Sequence, residues 1–190
     1  GSIFFADGTV GSSAEKKGQI SYEQNNEIMT FLTNDTLAMQ IDLNGHVTQP
    51  KQPCFLVRNS SDQSNVALNT LVTVVFDTEV FDQNADFASN TFTAPVTGRY
   101  LFTYSVNFAQ VDADHTIMAL TLSTSNNAFT NNPIADPSAL TGDPAELSLH
   151  GAIICDMDAS DTALVKVAFE GGSAQTDIIV DSYFSGYLAC

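Results

Sequence analysis

Two closely spaced pairs of aspartates are the residues in this sequence with the clearest capacity for chemistry. Asp112 and Asp114 flank a single alanine, and Asp156 and Asp158 repeat that spacing shortly before Asp161. Proteins bind Ca²⁺ through several carboxylate and carbonyl oxygens, so either pair could supply part of a calcium site. Neither pair follows the EF-hand spacing, and solvated aspartates in turns give the same pattern. The sequence therefore leaves calcium binding and simple solvation as alternatives, and it requires no other cofactor.

Motifs of enzyme catalysis are not found in this chain. Its histidines, His46, His115 and His150, lie far apart in the sequence. The Gly-x-Ser-x-Gly turn of serine hydrolases is absent, and so are the glycine-rich loops that bind phosphates or dinucleotides. Two of the many carboxylates could lie at the separation that glycosidases use, which keeps a surface-polysaccharide hydrolase as an alternative. The lack of tryptophan weakens that alternative, and we predict a protein without enzymatic activity.

The charge balance excludes two classes of partner. The 190 residues include 22 Asp and Glu but 6 Lys and Arg, which gives a formal net charge of −16 at pH 7. Binding to nucleic-acid phosphates or to anionic lipid requires clustered basic residues, so we expect neither. No apolar run has the length of a membrane span, and no signal peptide is present.

The three cysteines, Cys54, Cys155 and Cys190, are too few for a disulfide framework and too widely spaced for a zinc site. We expect buried free thiols, as is typical of a protein that folds in a reducing cytosol. A disulfide that uses Cys190 remains an alternative.

The elements that position these groups are predicted to be β-strands, because the hydrophobic pattern repeats every second residue. Between residues 100 and 108 large apolar side chains alternate with smaller or polar ones, and the apolar set is Tyr100, Phe102, Tyr104, Val106 and Phe108. A period of two places those side chains on one face of a strand, which must lie against an apolar layer. Further short apolar runs with turn residues between them continue to residue 188. The pattern predicts an all-β sandwich for residues 53–190.

Residues 1–52 have a different organisation. Their apolar pieces are short and are separated by turn-forming pairs such as Asp7-Gly8 and Asn44-Gly45. Such strands cannot enclose a core alone, so each needs a neighbour, which another copy of the chain can provide. Pro50 and Pro53 mark the boundary, because proline stiffens a junction and interrupts strand pairing. The sequence thus predicts two units, an intertwined β segment at 1–52 and a sandwich at 53–190.

The predicted sandwich resembles the globular head of C1q. The family signature is matched by aromatic, acidic and glycine residues, namely Phe76, Asp82, Phe87, Phe92, Gly98, Tyr100, Phe102 and Tyr104. The closing run, whose family residues are Phe184, Gly186 and Tyr187, is similar to the last strand of those heads. The interval between Phe87 and Phe92 is shorter than in the family, which predicts a trimmed loop. The resemblance implies a jelly roll of two facing sheets and a homotrimer around a threefold axis.

The N-terminal unit resembles the shaft of bacteriophage tail fibres. The similarity lies in the runs from Gly1 to Gly8, from Gly18 to Tyr22 and from Met39 to Val47, in that order. The run from Pro50 to Phe55 is similar to the junction between such a shaft and its globular tip. This resemblance implies a trimeric fibre of the virion, made in the host cytoplasm, and it predicts a longer parent chain.

Receptor contact is expected in the polar, turn-rich stretch from Ser125 to Glu146, because the loops of a sandwich commonly carry its binding residues. Side chains suited to a sugar or protein ligand occur there, at Asn126, Asn127, Phe129, Asn131, Asn132 and Asp136. We predict a receptor-binding fibre tip that recognises a host glycan or protein and does not insert into the membrane. A solvated connector is the simpler interpretation of the stretch. A head that only sets trimerisation and shaft register is the alternative function within the same fold.

Overall fold

The computed structural model describes residues 1–6 and 17–190, without the side chains of residues 131–134. The described chain divides into two compact units, Gly1–Gln52 and Pro53–Cys190. Nearly all of its regular structure is β-strand, and the one 3₁₀ helix among the described residues spans Pro137–Ala139. None of the helical structure described is long and apolar enough to cross a membrane.

The first unit is a five-stranded antiparallel sheet, sheet I, with its strands in chain order. These strands are β1 (Ser2–Phe5), β2 (Gly18–Glu23), β3 (Ile28–Thr33), β4 (Thr36–Ile41) and β5 (Val47–Thr48). Asn34 and Asp35, both with positive φ, form a two-residue turn between β3 and β4. The predicted turn at Asp7-Gly8 lies outside the described residues. None of the described residues in this unit is buried, so sheet I has no core of its own.

The second unit is a sandwich of two six-stranded sheets. Its strands are β6 (Cys54–Arg58), β7 (Val72–Thr73), β8 (Thr78–Asp82), β9 (Phe87–Ala88), β10 (Thr91–Thr93), β11 (Gly98–Ala109), β12 (His115–Thr124), β13 (Ala128–Ala135), β14 (Glu146–Met157), β15 (Thr162–Gly171), β16 (Asp177–Ile178) and β17 (Tyr183–Leu188). Sheet II has the order β13-β12-β15-β10-β9, with β7 paired to β15. Sheet III has the order β14-β11-β17-β6-β8, with β16 paired to β11. The predicted all-β jelly-roll sandwich is confirmed.

Strand β11 lies at the centre of the aromatic core. Its alternate residues from Tyr100 to Phe108 are buried, whereas the residues between them are partly exposed. On neighbouring strands, the rings of Phe55 and Phe184 meet edge to face at 5.0 Å, and Phe92 stacks on Phe55 at 4.9 Å. Aromatic pairs of this kind contribute about 0.5–1.5 kcal/mol each beyond their buried area. The alternate apolar residues in the sequence of β11 are therefore the ones that contribute to this core.

Two short turns connect β8, β9 and β10, and they position the family-signature residues Asp82, Phe87 and Phe92. Asp82, at the end of β8, accepts the backbone N–H groups of Asp86 and Phe87 at 3.1 and 2.8 Å. Strands β9 and β10 are joined by Ser89 and Asn90, both with positive φ, in a two-residue hairpin turn. The trimmed loop expected after Phe87 is this hairpin turn.

The stretch 125–146, predicted as a loop, is partly regular. Residues Ala128–Ala135 form β13 at the edge of sheet II, and the 3₁₀ helix follows it. Phe129 packs against the core, and Thr121 on β12 donates a hydrogen bond to the Thr130 hydroxyl at 3.2 Å. An edge strand packs only one of its faces against the core, so its sequence can remain largely polar. Such a sequence has the same composition as a loop, and this is why the strand was not predicted.

The cysteines differ in their surroundings, although all three are free. The expectation of a buried thiol is correct for Cys155, whereas Cys54 is half-buried and Cys190 is exposed. Burial raises the pKa of the Cys155 thiol to about 11, and it also raises the pKa of the Cys54 thiol. Cys190 is exposed because it follows the last strand of the sandwich.

Candidate functional site

The outward face of sheet III carries several exposed apolar side chains. Leu101 on β11 lies directly between Ile154 on β14 and Tyr187 on β17. A second row across the sheet includes Leu56 opposite Phe81, at the β6–β8 edge. Ile154 is 59% exposed, Phe81 47% and Tyr187 46%. We refer to these five residues as the outer face of sheet III.

A shallow depression adjoins this face beside strands β6 and β8. It has a volume of about 400 Å³, and its floor is formed by Leu56, Val80 and Tyr183. Arg58 and Asp181 provide its charged rim. Contiguous exposed apolar surface of this kind marks protein–protein interfaces, because covering it removes about 25 cal/mol of unfavourable hydration per Å². The arrangement is therefore suited to association with another protein surface.

The charged side chains on the outward side of the sheet lie near the edges of the outer face of sheet III. Arg99 on β11 is opposite Asp156 on β14, and the two charged groups are 3.8 Å apart. Both side chains are largely exposed, so this ion pair contributes little to stability. Between this pair and Arg58, the middle row across the central strands consists of Ala152, Thr103 and Ser185. The centre of the face can therefore be covered without burying a charge.

The loops of the sandwich are divided between two ends. The proximal end carries Pro53, where the unit begins, together with Gly98 and Cys190, which are held by backbone hydrogen bonds around Arg99 and Leu188. The distal end carries the loops 110–114, 136–145 and 171–176. Strand β11 runs from one end to the other, which separates them by about 35 Å at ~3.4 Å per residue.

The residues predicted to contact a receptor do not converge on one end. Asn126 lies at the proximal end, where its amide donates to Asp161 at 2.5 Å. The Asn127 side chain accepts the N–H of Ala128 within the same turn. Asp136 lies at the other end of β13, where its carboxylate accepts the N–H of Ser138 and caps the 3₁₀ helix.

The other three receptor candidates lie between those ends on β13. Phe129 packs against the core and is only partly exposed. Asn131 and Asn132 belong to the strand, and their side chains lie outside the described residues. Two of the six candidates therefore lie at one end of β13, three lie on the strand, and one lies at its other end.

The two aspartate pairs considered as possible calcium ligands lie at opposite ends of the sandwich. Asp112 follows β11 at the distal end, whereas Asp156 and Asp158 lie at the proximal end, so the pairs cannot form one site. Asp158 accepts a 3.4 Å hydrogen bond from the Thr97 hydroxyl. Among the described residues, no group of three acidic, histidine or cysteine side chains is placed to hold a metal ion.

Asp112 connects two of the distal loops through hydrogen bonds to their backbones. Its carboxylate accepts the backbone N–H groups of Ala174, Asp114 and Ser173, each at 2.9 Å. These hydrogen bonds favour the ionised form and lower the pKa of Asp112 to about 2. The neighbouring His115 is buried, with Nδ1 donating to the Gly171 carbonyl at 3.0 Å and Nε2 hydrogen-bonded to the Thr176 hydroxyl at 3.1 Å. These contacts hold the loops 110–114 and 171–176 together.

We expect the Asp112→Asn variant to weaken the dependence of stability on acid pH. The folded pKa of Asp112 lies below its ordinary value of 3.8, so its contribution is complete above about pH 4 and is lost as the pH falls toward 2. Asparagine cannot titrate, so the variant should melt earlier at pH 7 and lose less melting temperature between pH 4 and pH 2. Thermal unfolding followed by circular dichroism measures both effects. Asp114→Asn, an exposed neighbour, is the control, and a D112N curve parallel to the wild type would contradict this role.

The outer face of sheet III was not predicted from the sequence. One signal for it exists: β14 contains the continuous apolar run Ala152-Ile153-Ile154-Cys155. Such a run is typical of a strand that is covered on both faces. Ile153 points to the core side, and Ile154 points outward.

Comparison with known proteins gives a family and several structural neighbours. The family model described as the C1q domain matches residues 54–189. The globular domain of zebrafish complement 1qA protein is 18% identical with a TM-score of 0.53, over 74% of this chain and 98% of that one. Murine APRIL at pH 8.0 is 17% identical with a TM-score of 0.51, over 73% of this chain and 98% of that one. At these identities the structural likeness shows the fold alone, and no curated protein matches the sequence.

Proposed function

The chain belongs to the C1q domain family, and we propose that it forms the homotrimeric tip of a bacteriophage tail fibre, which attaches to a receptor on the host surface. The observation that carries the trimer is the outer face of sheet III. Three of its five side chains, those of Phe81, Ile154 and Tyr187, are exposed in a single chain and the other two are half-buried, and association of copies would cover them. The C1q-like fold supports a trimeric head in general terms, and no enzyme family is indicated by the match.

A threefold assembly suits the geometry of this face. In a ring, one patch of each protomer meets a different patch of the next, so the two halves of an interface need not be alike. Ile154 protrudes at the β14 side of sheet III, whereas the depression over Leu56, Val80 and Tyr183 lies at the β6–β8 side. A protruding aliphatic residue and an apolar depression on one sheet favour a head-to-tail ring of copies.

The fibre part of the proposal is supported by the N-terminal unit. Sheet I has no buried residue among its described positions, so it gains stability by association. Its sequence resembles the repeats of bacteriophage fibre shafts, in an order that leads directly into the C1q domain. A shaft followed by a head is the organisation of a fibre tip, and this supports the proposal that the protein is part of the virion.

Recognition is assigned to the distal loops of the head. The distal end carries several loops, and the loops of a sandwich commonly hold its binding residues. The loop 136–145 lies there with Leu140 exposed, and the Asp143 carboxylate accepts the N–H of Ala113 in the adjoining loop. Three identical tips would raise avidity even where each site is weak.

A head that only sets trimerisation and shaft register is the second candidate. One observation favours it: the Asn126 amide, predicted to face a receptor, is committed to Asp161 within the proximal loops. In this alternative the head still holds the three chains together, and another protein recognises the host receptor.

Light scattering after size exclusion tests the assembly. A mass of three times 20.3 kDa is expected in neutral buffer, and a monomer would contradict the homotrimer. Binding of labelled protein to a panel of bacterial strains then separates the candidates. A variant in which two glycines replace residues 140–142 should remain trimeric and lose cell binding if the distal loops recognise the receptor. Unchanged binding would place recognition in another part of the chain, absence of binding by the wild-type trimer to every strain would favour the second candidate, and release of reducing sugar would indicate a hydrolase.

A further inference from the structure

We propose that one defined face of sheet I is the surface through which the N-terminal units of three copies pack together. This inference rests on the proposed homotrimer and adds to it the side of the sheet that is covered. It also names the occupant, which is the same face of the other two copies. The argument comes from strand register, exposure and charge.

Strand register places nine apolar side chains on one face of sheet I. Directly opposed residues of neighbouring strands share a face, and two rows across the sheet are apolar throughout. The first row is Ile3, Ile20, Phe31 and Met39, and the second is Tyr22, Met29, Ile41 and Val47. Phe5 extends this side beyond the first row. We call these nine residues the apolar face.

The opposite side of sheet I has a different composition. One of its rows consists of hydroxyl and amide side chains only, namely Ser2, Ser21, Thr30, Gln40 and Thr48. The Ser21 and Thr30 hydroxyls are hydrogen-bonded to each other at 2.7 Å. The adjoining row is mixed, with Phe4, Gln19, Leu32 and Leu37. We call this side of the sheet the mixed face. Water can solvate many of its side chains, so burial by another surface is needed mainly on the apolar face.

Among the described residues, the apolar face is only partly covered. Ile3 is 61% exposed, and Val47 and Phe5 are exposed to a similar degree. A depression of about 350 Å³ is lined by four residues of this face, Ile3, Ile20, Tyr22 and Met29, together with Gly1, Ser2 and Ser21. It is large enough to receive an aliphatic or aromatic side chain from another surface.

The proposed homotrimer points to another copy as the occupant, and the distribution of charge permits it. The whole chain has a formal net charge of −16, so copies repel each other and a contact without carboxylates adds least to that repulsion. The nine residues of the apolar face are uncharged, and the one carboxylate hydrogen-bonded to them among the described residues, that of Glu27 on the Tyr22 hydroxyl, belongs to an exposed residue. The row of Ile3, Ile20, Phe31 and Met39 can therefore be covered by another copy without burying a charge. A head that holds three chains together would also keep three such faces at high effective concentration.

Two neighbouring substitutions in the full chain test this inference. Ile3→Asp places a carboxylate on the apolar face, and Phe4→Asp places one on the mixed face of the same strand; both positions are exposed in a single chain. Amide hydrogen exchange over residues 18–41 and the mass in solution are measured for each variant. We expect Ile3→Asp to remain trimeric through the head and to exchange these amides at least tenfold faster than the wild type. Phe4→Asp should exchange them at nearly the wild-type rate.

The outcomes separate this inference from the proposed function. A trimeric Ile3→Asp variant with wild-type exchange would overturn the apolar face as the contact surface and leave the homotrimer intact. Equal acceleration by both substitutions would also overturn it, because the two sides of the sheet would then be equivalent. A monomeric wild-type protein would overturn the homotrimer itself.

Discussion

Gly186→Ala is expected to destabilise the head strongly, and Gly186→Val to prevent its folding. Gly186 lies on β17 between Phe102 on β11 and Phe55 on β6. A Cβ atom at this position would lie 2.5 Å from Cδ1 of Phe102 and 2.9 Å from Cε1 of Phe55. Both rings are buried within the aromatic cluster, so neither can move without disturbing its neighbours. Overpacking of this kind costs about 1–3 kcal/mol or more.

Thermal unfolding of the full chain measures this effect. A loss of about 3 kcal/mol lowers the melting temperature of a domain of this size by roughly 10 °C. Gly142→Ala is the matched control, because an added Cβ at that exposed loop position meets no atom within 4 Å. The control should melt within about 2 °C of the wild type. An alanine at position 186 that melts like the control would show that the aromatic cluster can adapt.

The example of Gly186 shows how far local sequence predicts the fold. The alternation between Tyr100 and Phe108 is a property of a single strand, and it predicted the inward face of β11 correctly. Gly186 was recognised only as part of a family pattern. A glycine is needed at position 186 because Phe55 and Phe102, on the two neighbouring strands, approach it closely. A local sequence pattern contains no information on contacts between residues so far apart in the chain.

The candidate site was harder to predict for a related reason. Ile154 and Leu56 are far apart in the sequence, and their common side becomes visible only when strand order and register are known. The asparagines at 126 and 127 were selected for their hydrogen-bonding groups. Those groups are used inside the fold, since Asn126 binds Asp161 and Asn127 binds the backbone of its own turn. Composition identifies groups that can bind a ligand, but it does not show which of them the fold already uses.

Ile154→Asp is expected to dissociate the trimer into folded monomers. Ile154 is 59% exposed in a single chain, so an aspartate there should cost the isolated sandwich little. In the proposed trimer the same carboxylate would replace an aliphatic side chain in the contact with a neighbouring copy, and the loss of its hydration costs several kcal/mol at each of three interfaces. Each 1.4 kcal/mol weakens association tenfold, so dissociation at micromolar concentration should be complete.

Light scattering combined with circular dichroism distinguishes dissociation from unfolding. The variant should have a mass of 20.3 kDa and retain the β-sheet spectrum of the wild type. Leu71→Asp is the matched control, because Leu71 is an aliphatic residue with 57% exposure that lies outside sheet III. That control should keep three chains together, since its side chain is not part of the outer face. A trimeric Ile154→Asp protein would mean that the copies meet elsewhere, and the exposed row of Ile154, Leu101 and Tyr187 would then be available to a different partner.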